Sequence, residues 1–251
     1  MFDPRRATLR HRIDRGDCLG VAWLAIGSVA IVEAAARAKP DAIVLDLQHG
    51  LFDRTSLEAS VAVVPPEIPV LVRVAENGAT AIGTALDAGA EGVIVPLVET
   101  GKQARRAVAY SRYPPHGIRS GGGVRPLADF PGYVEGAEKL VTIVMIETAR
   151  GVKNAAKIAA AEGVDMVFIG TGDLALSLGT FPNSDPRHSE ACERVRAACR
   201  KAWTPCGIFT MGLQGAEERR GQGYRMVVIA NDMDIVQRGF AQARAGFAGA
   251  P

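Results

Sequence analysis

Short, nearly uniform apolar runs alternate along this chain with alanine-rich stretches of helical spacing. Residues 42–46 set the pattern: Ile43, Val44 and Leu45 are strand formers with no polar face between them. Such a run suits a parallel strand covered on both sides. Similar runs at 19–25, 70–74, 92–95, 141–146, 166–169, 206–209 and 226–230 predict seven more strands. Helices are expected at 31–38, with Ser28 as a cap, and at 56–64, stopped by Pro65-Pro66. Others are expected at 78–88, 102–111, 153–161, 189–202 and 235–245. Eight strands separated by helices predict one α/β domain, a (β/α)8 TIM barrel spanning 1–251. Residues 1–18 read as a solvated leading segment and 113–132 as a long irregular rim or lid.

Several apolar runs end in charge. Asp46 and His49 stand where the second ends, the third contains Arg73 near its end, Glu147 follows the fifth, and Asp173 lies just past the sixth, after a glycine-rich turn at 170–172. Charged groups at strand C-termini mark the mouth of a barrel active site. Composition changes this picture little. Apolar residues are 48% and charged residues 22% of 251, which suits an ordinary globular protein, and a formal charge of +2 calls for no nucleic-acid partner. No uninterrupted apolar stretch is long enough for a membrane span. Cys18, Cys192, Cys199 and Cys206 form no Cys-x-x-Cys pair, and no secretory signal core follows the early arginines. Both features point to reduced thiols and a cytoplasmic location.

Glu147 and Asp173 are the best pair of metal ligands, since a hard divalent cation needs only a few protein oxygens beside water and substrate. The plainer alternatives are a salt bridge and a helix cap. His49 is the candidate base, with Asp46 three residues earlier as the partner fixing its ring; the alternative is a packed histidine. Arg73 suits a carboxylate or a developing enolate oxygen, or else an ion pair inside the barrel. His11, His116 and His188 have weaker cases. Arg119 and Arg125 in the long loop are candidates for an acidic ligand, and Trp23 for the substrate rim.

Seven strings occur in order: Asp-Leu-Gln-His-Gly at 46–50, Val-Arg-Val at 72–74, Leu-Asp-Ala-Gly-Ala at 86–90, Val-Pro-Leu-Val-Glu at 95–99, Arg-Tyr-Pro-Pro-His-Gly-Ile-Arg at 112–119, Ile-Glu-Thr at 146–148 and Ile-Gly-Thr-Gly-Asp-Leu at 169–174. Together they resemble the HpcH/HpaI aldolase family of metal-dependent class II pyruvate aldolases. The resemblance implies Glu147 and Asp173 as ligands to Mg²⁺, Mn²⁺ or Co²⁺, His49 as base with Asp46, and Arg73 on pyruvate. It also implies a seat for the pyruvate carboxylate at the amides of Gly172 and Asp173, and Asp87 shaping a site across a subunit contact. A homo-oligomer is implied too, a hexamer built as a trimer of dimers, with the C-terminal helix within 233–251 exchanged between partners. Three departures stand out: Gln48 where the family usually has Glu, Thr171-Gly172 within the Gly-Thr-Gly-Asp turn, and Ser120 after Arg119.

The implied reaction is reversible cleavage of a 4-hydroxy-2-oxoacid to pyruvate and an aldehyde. No lysine falls in a predicted strand, which disfavours Schiff-base chemistry. The rivals are an oxaloacetate decarboxylase or Claisen-type lyase using the same site, and a barrel kept for binding without turnover.

Overall fold

The computed structural model describes residues 8–182 and 185–248. Eight parallel strands close into a barrel in chain order: β1 Leu19–Leu24, β2 Ala42–Asp46, β3 Val70–Arg73, β4 Gly92–Val95, β5 Val141–Ile146, β6 Met166–Ile169, β7 Cys206–Ile208 and β8 Met226–Asn231. The chain is thus a (β/α)8 barrel, as the alternation of apolar runs and helical spacing predicts. Every residue of β2 through β6 is buried, which explains why those runs lack a polar face. Alternate residues serve two cores. Within β5, Val141, Ile143 and Met145 fill the barrel, while Val144 and Ile146 pack outward against helices.

The leading segment departs from expectation. Thr8–Asp14 is a helix whose Leu9 and Ile13, one turn apart, enter the inner core and close the N-terminal end of the barrel. Glu91 accepts the Leu9 N–H at 3.0 Å, and Arg10 pairs with Asp165 at 2.7 Å. These contacts replace the solvated segment expected there; residues 1–7 lie outside the described residues.

The long segment after the helix Gly101–Ser111 also differs. Its second half is ordered, with a 3₁₀ turn at Pro126–Asp129 and a helix at Phe130–Ala137. It links a helix end to the start of β5, so it lies at the barrel end opposite the mouth. Arg125 accordingly donates to the carbonyls of Ala88 and Glu58, and Arg119 to Asp87. Neither arginine reaches the mouth of its own barrel, and the segment is no lid over it.

Smaller differences follow local chemistry. The expected helix 153–161 is broken at Asn154 into Ala149–Lys153 and Ala155–Ala159, where the Asn154 amide donates to the Glu99 carbonyl at 2.9 Å. A helix at Gly212–Gly221 was unannounced, since only Ala216 on it is buried. Ser28 occupies its cap position without a side-chain cap bond. All four thiols are free, and no described helix is long and apolar enough to cross a membrane. The final helix, Asp232–Ala248, begins beneath the mouth and runs off the barrel, exposed from residue 237 onward.

Candidate active site

Asp46 ends β2 and Arg73 ends β3, directly opposite each other in register. Asp46 is 2% exposed, and its carboxylate is crowded with donors. Oδ1 accepts from Arg73 Nε at 2.8 Å and from the backbone N–H groups of Gln48 and His49 at 2.9 and 3.2 Å. Oδ2 accepts from Arg73 Nη2 and, at 3.3 Å, from Trp23 Nε1. Burial alone pushes this carboxyl up, but the hydrogen bonds and charge of Arg73 outweigh it and hold the group below the usual carboxylate range.

The expected Asp46–His49 ring pair does not form. Asp46 takes the His49 main chain, as an aspartate closing a tight turn does, and Arg73 takes the rest. His49 is left exposed at the mouth. The ion-pair alternative for Arg73 is the one the geometry adopts, with Nη1 as the guanidinium nitrogen that Asp46 does not engage. Trp23 is not at the rim. It is 1% exposed, stacked on Phe168 at 5.7 Å, and lies under the Arg73 guanidinium at 5.1 Å as the floor of the site.

Glu147 follows β5 and is 1% exposed. Oε1 accepts the Leu97 N–H at 2.7 Å, whereas Oε2 is buried without any partner. A Cβ on Gly170 would lie 2.4 Å from Oε2, so only glycine leaves room for this carboxylate. Burial pushes the Glu147 carboxyl up to about 6; the Leu97 N–H opposes that rise and the negative charge of Asp173 adds to it. Asp173 is half-buried, on the first turn of the helix Thr171–Ser177 rather than on a loose turn. Aspartate is favoured there by the helix dipole, and the first-turn N–H groups, those of Gly172 and Asp173 among them, have no carbonyl within the helix to receive them. Glycine at 172 is exposed.

Two carboxylates suit a hard divalent cation that keeps several waters. No third His, Cys, Asp or Glu joins them among the described residues. The unpartnered Oε2 is what fits such an ion, since a buried carboxylate oxygen without a donor is costly. Gln48 has a buried Oε1 without a partner. Asp87 lies at the far end of the barrel, on Arg119 at 2.6 Å, so within one chain it is no part of this cluster.

Sequence reasoning missed Leu97, Gly170 and Asp232. The last was findable by the rule that exposed the others, as an acid at a strand end. Its carboxylate accepts the N–H groups of Ala25 and Ile26 at 2.9 Å and ties β8 to β1. His188, named from the sequence as a weaker candidate, reaches the Thr171 carbonyl at 3.0 Å.

Fold and site define a (β/α)8-barrel protein with buried, mutually sensing charges at the C-terminal mouth. The family model for HpcH/HpaI aldolase/citrate lyase matches residues 20–238. Over 250 residues the chain is 36% identical to a hydroxypyruvate/pyruvate aldolase of Paraburkholderia phytofirmans, covering 94% of this chain and 95% of that one. It is 35% identical to a 4-hydroxy-2-oxovalerate aldolase of Rhodococcus jostii, covering 90% of each. A crystal structure of an HpcH/HpaI aldolase/citrate lyase family protein from Burkholderia cenocepacia superposes with a TM-score of 0.90 at 31% identity, covering 97% of this chain and all of that one. The chain belongs to the HpcH/HpaI aldolase family.

Proposed function

We propose that the chain is a divalent-metal-dependent aldolase that cleaves a 4-hydroxy-2-oxoacid to pyruvate and an aldehyde, and joins them in reverse. The observation that carries this reading is the buried, unpartnered Glu147 Oε2 beside Asp173, across the mouth from Arg73. Glu147 and Asp173 would hold Mg²⁺, Mn²⁺ or Co²⁺. When bound, the cation supplies Lewis acidity toward the 2-oxoacid.

The chain's own groups do the rest. The free N–H groups at the start of the helix Thr171–Ser177 receive the substrate carboxylate, with Gly172 leaving the approach open. Arg73, locked by Asp46 and resting on Trp23, aims Nη1 at the oxygen where enolate charge develops. In cleavage, the exposed His49 ring accepts the proton of the 4-hydroxyl. The C3–C4 bond then breaks and its electron pair stays on C3. None of the eight described strands carries a lysine, which argues against Schiff-base chemistry. The two relatives bear different substrate names, which supports the 2-oxoacid class and leaves the aldehyde open.

The reading extends to assembly as a homo-oligomer, a hexamer of three dimers with the final helix exchanged. A groove of about 450 Å³ lies over the outer face of β1 and β8, between the helix Val29–Arg37 and the first turn of the final helix, and its lining includes Ala22, Leu24, Ile31 and Ile229. A second copy's helix is the occupant this reading assigns to it.

The test is a panel of aldehydes with pyruvate, run with each of the three metals beside oxaloacetate and a thioester panel. Aldol products that vanish with chelator and return with metal support the reading. Turnover of oxaloacetate or thioester alone replaces the aldolase assignment, and no turnover of any compound replaces it with a binding barrel.

A further inference from the structure

Three non-glycine residues among those described have a left-handed backbone: Lys39, Leu97 and Trp203. Lys39 and Trp203 terminate helices, where that conformation is ordinary. Leu97 does not. It stands between the end of β4 and Val98, whose N–H returns to the Met145 carbonyl of β5 at 3.0 Å. Its φ is 54°, a costly value for a branched side chain.

The consequence lies in the Leu97 N–H. Pro96 before it has no donor, so between Val95 and Val98 this is the one N–H the chain can offer. It donates to Glu147 Oε1 at 2.7 Å. The bare Cα of Gly170 lies against Oε2. One oxygen is therefore fixed by a hydrogen bond, and the other stays open only because residue 170 has no side chain.

We propose that Leu97 is the positioning residue for Glu147: its left-handed backbone anchors Oε1 and so presents Oε2 toward Asp173 for the cation. This rests on Glu147 and Asp173 being the metal ligands. The Leu97 side chain, half exposed, has no part in the anchoring; the main chain does it. Glycine and asparagine take the left-handed region readily, and β-branched residues resist it.

Titration of the full chain with Mn²⁺ in the absence of substrate, read from the EPR signal of free Mn²⁺, tests the proposal. Leu97→Gly and Leu97→Asn should keep the wild-type dissociation constant within about twofold, and Leu97→Val and Leu97→Ile should weaken it about tenfold. Glu147→Gln separates the two levels of the argument. Unchanged Mn²⁺ binding in Glu147→Gln overturns the metal site itself. Loss of binding in Glu147→Gln with normal binding in Leu97→Val overturns the role of Leu97. Should the β-branched variants fail to fold, the other arm still decides, because weakened binding in folded Leu97→Gly and Leu97→Asn means that the side chain matters and the backbone proposal is wrong.

Discussion

Asp46 and Arg73 face each other in register on β2 and β3, and the carboxylate engages Nε and Nη2 along one edge of the guanidinium. In the proposed reaction the pair acts as a unit, since Asp46 fixes which nitrogen Arg73 would leave for substrate. Lysine at 73 keeps the charge but not the planar fork. Arg73→Lys and Asp46→Asn should each lower kcat/KM for the 2-oxoacid more than tenfold, about 1.4 kcal/mol of transition-state stabilisation. The double variant should lose less than the sum, because the second change removes a contact already broken. Additive losses in a double-mutant cycle would show that the two residues act separately.

Glu147 gives the metal-free protein a pH signature. Its carboxyl titrates near 6 in the folded chain against an ordinary 4.5. A raised acid holds its proton in the folded state after the unfolded chain has released it. The stability it contributes is therefore full below about 4.5 and falls away as pH rises through about 6, a loss of roughly 2 kcal/mol. In chelator, Glu147→Gln should raise the melting temperature at pH 8 and change it little at pH 4.5. Added Mn²⁺ should then stabilise the wild type at pH 8 but not the variant. Equal shifts at both pH values would mean that the carboxyl is not desolvated.

Where an apolar run ends in proline, glycine or charge, the sequence marks the strand end well. The bounds of β4, β5 and β6 coincide with the expected 92–95, 141–146 and 166–169. Asp46, Arg73 and Glu147 were legible because each charge falls at the end of a buried run or, for Arg73, one residue before it. Pairing was less legible. A spacing of three brings Asp46 and His49 together but does not say whether the ring or the main chain arrives, and the main chain wins because the turn aims its N–H groups inward. The helix at Gly212–Gly221 has almost no apolar stripe to read. Phe130–Ala137 was hidden because Pro131 and Gly132, read as loop residues, sit in its first turn, where Asp129 caps it. Leu97 acts through a backbone N–H, which no residue type announces.

The helix closing the barrel floor should matter to stability and not to chemistry. Leu9 is fully buried in the inner core, at the end opposite Glu147. Leu9→Ala should destabilise by about 2–5 kcal/mol in urea unfolding, through lost burial and the cavity left behind. Its KM for the 2-oxoacid should stay at the wild-type value under conditions where the variant is folded. A changed KM with unchanged stability would mean that the floor communicates with the mouth.

Assembly is the prediction with the widest reach. The final helix carries Ile235, Phe240 and Phe247 at 51, 75 and 83% exposure, an apolar set that one chain leaves in water. Beside its first turn an apolar groove opens over the outer face of β1 and β8, the face that an eighth helix covers in a closed barrel. Under the proposed exchange one event would resolve both mismatches, the seating of a second copy's helix in the groove. Each large side chain so buried contributes about 1.5–3 kcal/mol, enough to hold an assembly at low concentration. Light scattering of dilute protein should therefore report a species larger than a dimer. Phe240→Asp with Phe247→Asp should dissociate it, since charge on that stripe cannot be buried unpaired. The same pair leaves Asp232 and its bonds to Ala25 and Ile26 untouched, so the barrel itself should stay folded by circular dichroism. A wild-type monomer with full activity would end the exchange reading and leave the helix as a free arm.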